Sequence, residues 1–73
     1  MEETMKLSAR NVLKAKVKSV KHGAVNSEVV LELAAGAEIV SIITSSSAKH
    51  LGLRRGGEAY AVIKASNVII ATD

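Results

Sequence analysis

A chain of 73 residues makes one domain at most, and at that size only about 60% of the unfolded surface is buried on folding, so stability needs reinforcement. Cysteine is absent, and the two histidines, His22 and His50, stand far apart in no metal-ligand spacing. Disulfides, thiolate metal sites and cysteine nucleophiles are therefore excluded, which leaves self-association as the expected reinforcement. A net charge of +3 favours small anions or acidic partners but is too small to establish nucleic-acid binding.

Apolar residues make up 48% of the chain, yet they include one Tyr, two Met and no Phe or Trp; Pro is also missing. The core must come from Val, Ile, Leu and Ala, a set that suits a pleated sheet. The acidic and polar start, "MEETMKLSARN", holds no apolar stretch of the signal-peptide kind. No apolar run approaches the roughly 20 residues that span a bilayer. The expectation is a soluble cytoplasmic protein without a membrane partner.

From Val12, Leu13, Ala15 and Val17 alternate with Lys14, Lys16 and Lys18, which predicts a strand with one wet, basic face. The alternation slips at Ser19–Val20, so a bulge or a strand end is expected before a turn at Lys21–Gly23. A second alternation sets Val25, Ser27, Val29, Leu31 and Leu33 against Asn26, Glu28, Val30 and Glu32, and Ala34–Gly36 reads as a hairpin turn. Residues 37–43 form a third strand, apolar on both parities near its end and so expected to be covered on both faces. Residues 45–52 have room for one short helix, and "RRGG" at Arg54–Gly57 marks a tight turn. Residues 58–64 alternate again, "ASN" interrupts, and Val68–Ala71 is expected as a last strand. The order β-β-β-α-β-β predicts an all-β fold, a five-stranded OB-like Greek-key barrel with one short helix between strands 3 and 4. An SH3-like barrel is its main competitor.

Three donor-rich segments fall at element ends. Thr44, Ser45, Ser46 and Ser47 follow a buried strand and open the helix. One such hydroxyl is an ordinary N-cap, while several beside free backbone N–H groups form a cradle for an anion. "SARN" (Ser8–Asn11) puts a hydroxyl, an arginine and an amide ahead of the first strand, and "IKAS" (Ile63–Ser66) puts Lys64 and Ser66 at the end of the fourth. Arginine offers an oxyanion a rigid fork of donors and lysine a mobile point charge. Surface solvation of Arg10 and Lys64, and turn formation at Ser66–Asn67, are the plainer readings of the same residues.

Taken together, "SARN", "GAVNSEV" (Gly23–Val29), "ITSSSAKHLGL" (Ile43–Leu53) and "VIKASNV" (Val62–Val68) resemble the molbindin (Mop) family of small molybdate- and tungstate-binding proteins. The module is also similar to paired C-terminal domains of molybdate-responsive regulators and to an accessory domain of molybdate transporter ATPases. The resemblance runs over residues 6–72 of a single domain 1–73, leaving four additional residues ahead of Met5. It implies molybdate or tungstate as ligand with no other cofactor or metal, intracellular molybdenum storage and homeostasis, and a homo-oligomer, a hexamer built as a trimer of dimers. Residue by residue, it implies that Ser8, Arg10, Lys64 and Ala65 bind from one subunit and Thr44, Ser47 and Ala48 from a neighbour. A second class of site near the symmetry axis would involve His22, Gly23 and Val25.

The lysine alternation is the alternative, a nucleic-acid-binding OB module. Such modules stack bases on aromatic side chains, and Tyr60 is the single aromatic residue here, so nucleic acid is not an expected partner. No nucleophile–base pair forms a recognisable motif, and no enzymatic activity is expected.

Overall fold

The structure, a computed structural model, describes residues 8–73; the expected first residues of the core, 6 and 7, lie outside them. Among the described residues four strands form one antiparallel sheet: β1 (Asn11–His22), β2 (Asn26–Leu33), β3 (Glu38–Thr44) and β4 (Glu58–Ile63), with a short helix α1 (Ser45–His50) between the last two. The strand order is β3-β2-β1-β4. The long β1 is the spine: residues Asn11–Lys16 pair with β4, and Ala15–His22 pair with β2.

The expected slip in β1 is a bulge. The register passes from Val17↔Leu31 to Ser19↔Val30, so Lys18 has no opposite residue. Val17 and Val20 are three apart and would face opposite sides of a regular strand. The additional residue lets Val17 be buried and Val20 pack against the same core while the strand continues to His22.

The hairpin after β2 closes with the Gly36 N–H on the Leu33 carbonyl at 2.9 Å, and Gly36 takes a φ of 91° that a side chain would resist. "RRGG" is also a turn, with the Gly57 N–H on the Arg54 carbonyl at 3.0 Å.

Ala15, Val17, Val29, Leu31 and Ala61 form the core, with Ile39, Ile43, Leu53 and Ala59 partly buried around it. Two expectations fail here. Val40 and Ile42 are exposed, so β3 is covered on one face only. A single sheet this small has nothing to lay over its other face. Val68–Ala71 forms no strand: after a 3-10 turn at Ala65–Asn67 the chain runs on without pairing, leaving Ile69 92% and Ile70 84% exposed. A cavity of about 380 Å³ opens between the two edge strands, lined from β3 by Ser41 and Ile43 and from β4 by Ala59 and Tyr60, with Leu51 and Leu53 beside them. The fold shown is thus a mostly-β domain with a four-stranded antiparallel sheet and one helix, rather than a closed five-stranded barrel.

Candidate functional site

Antiparallel pairing joins two of the three donor-rich segments. Asn11 pairs with Ile63 and its side-chain amide donates to the Ile63 carbonyl at 3.1 Å. Arg10 and Lys64 flank that pair, so "SARN" and "IKAS" share one end of the sheet. Lys64 keeps extended backbone and opens the 3-10 turn, its carbonyl accepting from the Asn67 N–H at 2.9 Å. Ser8, Arg10, Lys64 and Ala65 are all exposed. The backbone fixes where these donors start, and the long cationic side chains reach into solvent.

The opposite end of β1 holds the rest. Thr44 caps α1: its Oγ1 accepts from the Ser47 N–H at 3.0 Å and donates to Ser47 Oγ at 2.8 Å. Capping is therefore the observed role of the first hydroxyl in the run. Ser47 is exposed, whereas Ala48 as a whole residue, backbone included, is only 1% exposed in a single chain.

Ser45 ties this helix to the β1–β2 turn. Its N–H donates to the Val25 carbonyl at 2.7 Å, and its hydroxyl donates to the Gly23 carbonyl at 2.6 Å. Ser27 Oγ lies 2.8 Å from Ser45 Oγ. A carbonyl can only accept, so the Ser45 proton faces Gly23 and the Ser27 hydroxyl must donate to Ser45. His22 Nδ1 stands 3.5 Å from Ser27 Oγ, a long contact. His22, Gly23 and Val25 themselves are exposed.

One chain therefore gathers the expected residues into two groups and does not unite them. Ser8, Arg10, Lys64 and Ala65 sit at the start of β1; Thr44, Ser47, Ala48, His22, Gly23 and Val25 sit at its far end. Arg10 and His22 stand at the two ends of the 12-residue strand β1, roughly 40 Å apart along a fully extended chain.

In the sequence Ser45 figures only as one of four hydroxyls and Ser27 only as a position in the β2 alternation; neither is assigned there the organising role it has in the second group. The available signal was Ser27 on the apolar parity of β2, between Val25 and Val29, where a hydroxyl needs a buried partner.

Other chemistries find less support. Ser27 beside His22 has the residue types of a nucleophile and base, but Ser27 is 1% exposed and its proton is directed to Ser45. The lysine strip is partly matched by acids: Lys14 Nζ lies 3.9 Å from Glu58, and Lys18 bonds Glu38. The bond to Glu38 also raises the Lys18 pKa above its ordinary value. Among the described residues no cluster of His, Asp or Glu could hold a metal ion, and no helix is long and apolar enough to cross a membrane.

Sequence and fold are both shared with known proteins. Residues 7–70 match the sequence model of the TOBE domain. The chain is 52% identical over 66 residues to molybdenum-pterin-binding protein 3 of Clostridium pasteurianum, covering 90% of this chain and 97% of that one. Its fold superposes on apo MopII from the same organism with a TM-score of 0.86 at 48% identity, covering 92% of this chain and all of MopII. It also superposes on ModG, described as a cytoplasmic molybdate-binding protein and solved with molybdate bound, with a TM-score of 0.87 at 51% identity over 94% of this chain and 49% of ModG. By sequence and by fold, the chain belongs to the TOBE domain family and, within it, to the molbindin (Mop) proteins.

Proposed function

We propose that this protein binds molybdate or tungstate at interfaces between copies of itself and serves as a cytoplasmic molybdenum store. The observation that carries the reading is the separation of the two donor groups along β1. The cationic end (Ser8, Arg10, Lys64, Ala65) and the hydroxyl end (Thr44, Ser47, Ala48) are complementary in chemistry, and on one chain they lie at opposite ends of a strand. Joining them around one ion requires two chains. Relatives named for molybdenum and molybdate supply the ligand class.

Molybdate and tungstate are unprotonated tetrahedral dianions at neutral pH, and a pocket made of N–H and O–H donors with a cation suits them. Such a pocket disfavours protonated phosphate, whose own O–H would meet a donor. Sulfate is also unprotonated, so its rejection rests on the size of the cavity. His22, Gly23 and Val25 are assigned to a second class of site, held by the Ser45 bonds to the Gly23 and Val25 carbonyls.

Assembly supports the same reading. Val40, Ile42, Val68, Ile69 and Ile70 are exposed on a chain whose core is made of small side chains. Full burial of one Val or Ile contributes about 1.5–3 kcal/mol, so covering these residues is a strong incentive to associate. The apolar gap between β3 and β4 has the place of a missing strand, and Val68–Ala71 of a second copy has the composition to fill it. That exchange completes a five-stranded OB-like Greek-key barrel, and repeated association gives the hexamer, a trimer of dimers.

Calorimetric titration combined with sedimentation tests the proposal. Molybdate and tungstate should bind to an oligomer and raise its melting temperature by mass action, with phosphate giving no heat. A monomer with and without molybdate, or no heat on titration, would refute it.

A further inference from the structure

Two adjacent arginines, Arg54 and Arg55, have no part in the oxyanion site above. They border a groove of about 640 Å³ between the second half of β1 and the loop that leads into β4. Its apolar side is Val20 and Leu53, both partly buried against the core. Its polar side is the cations Lys18, Arg54 and Arg55 with His22 beside them, all exposed, and no carboxylate belongs to the lining. Lys18 is matched by Glu38 outside the groove, so the two guanidiniums carry the fixed charge of the site.

The backbone under these cations is fixed. The Arg54–Gly57 turn closes on itself, and Gly56 at its third position has a φ of 85°, as a type II turn demands. The turn is then fastened to β1 beside the bulge by reciprocal bonds: the Val17 N–H on the Gly57 carbonyl and the Gly56 N–H on the Val17 carbonyl, each 2.8 Å. His22 borders the groove with its Nδ1 3.5 Å from Ser27 Oγ, a long contact to a hydroxyl whose proton is directed to Ser45.

We infer that this groove is a further anion site, adjoining the proposed second class of oxyanion site at His22, for a small organic phosphate carrying at least two negative charges. Paired guanidiniums take phosphate oxygens in bidentate fashion. The groove is several times larger than one tetrahedral oxyanion and falls within the roughly 300–1,000 Å³ usual for small organic ligands. The apolar side formed by Val20 and Leu53 gives the organic body of such a ligand a surface that inorganic phosphate would leave unused.

The probe is ADP, titrated by calorimetry and by NMR shift mapping both without molybdate and in saturating molybdate, because His22 borders the groove and also belongs to the second class of oxyanion site proposed above. ADP should bind in the micromolar-to-millimolar range, with shifts at Val20, His22 and Leu53. It should bind more tightly than pyrophosphate, and adenosine should not bind. The double variant Arg54→Gln/Arg55→Gln should lower ADP affinity about tenfold or more, leaving molybdate affinity and melting temperature unchanged. Lys14→Gln/Lys16→Gln should leave ADP affinity unchanged. The inference is overturned if ADP does not bind, if adenosine matches it, if pyrophosphate matches it, or if the lysine variant weakens ADP as much as the arginine variant.

Discussion

The two ends of β1 solve different problems with different residues. At its start, Arg10 and Lys64 supply charge on long exposed side chains, located by a single register pair and one amide bond. At its finish, Thr44, Ser45, Ser47 and Ser27 are short hydroxyl residues joined in bonds of 2.6–3.0 Å, two of the residues buried. The donors of one end are charged and loosely held; those of the other are uncharged hydroxyls and tightly held. An oxyanion needs both qualities, since a cation without geometry does not select and geometry without a cation leaves a dianion poorly neutralised. Under the function proposed above, a site between copies would let each end supply what the other lacks.

The sharpest way to break the comparison is to remove charge from the loose end. Lys64→Ala should lower molybdate affinity between about ten- and a hundredfold, the range of a lost hydrogen bond from a charged donor. The melting temperature of the ligand-free protein should not change, because Lys64 is exposed and its backbone role in the 3-10 turn survives the substitution. Titration and thermal unfolding of the same preparation check both halves. Unchanged affinity would remove Lys64 from the site.

The tight end should respond in the reverse way, with stability suffering first. Ser45→Ala leaves the Gly23 carbonyl without its donor and the buried Ser27 hydroxyl without its acceptor, a cost of about 1–2 kcal/mol in chemical denaturation. Adding Ser27→Ala removes the stranded donor, so the double variant should be less destabilised than the sum of the singles. Strict additivity would mean that the two hydroxyls do not act as one unit.

This asymmetry also explains what could be read from the sequence. Alternation located β1 to β4, because each strand has one dry face, and the Ser19–Val20 slip gave the bulge because Val17 and Val20 must face the same core. Hydroxyls at helix starts and cations at strand ends were visible as residue types, so Thr44, Ser47, Arg10 and Lys64 could be named. Ser45 and Ser27 could not, since their importance lies in a bond across 18 residues that no local pattern encodes. The tail misled for a related reason: Val68–Ala71 has strand composition, but within one chain it pairs with neither free edge of the sheet, β3 or β4. Composition reports what a segment prefers, and pairing depends on what lies beside it.

The mildest perturbation separates surface charge from either end. Lys18 lies at the bulge and bonds Glu38, and that bond, followed by the Coulombic pull of Glu38 and then of Glu32, raises its pKa above 10.5. A raised lysine pKa favours the folded state fully below about 10.5, and the benefit fades as pH rises through the higher folded value. Wild type and Glu38→Gln should therefore differ slightly in melting temperature at neutral pH and converge in the alkaline range above that value. Salt should shrink the neutral difference, because both partners are largely exposed. A difference that persisted undiminished at alkaline pH would show that Glu38 stabilises β3 through something other than Lys18. Molybdate affinity should be the same in both proteins at neutral pH, since Lys18 and Glu38 belong to neither donor group.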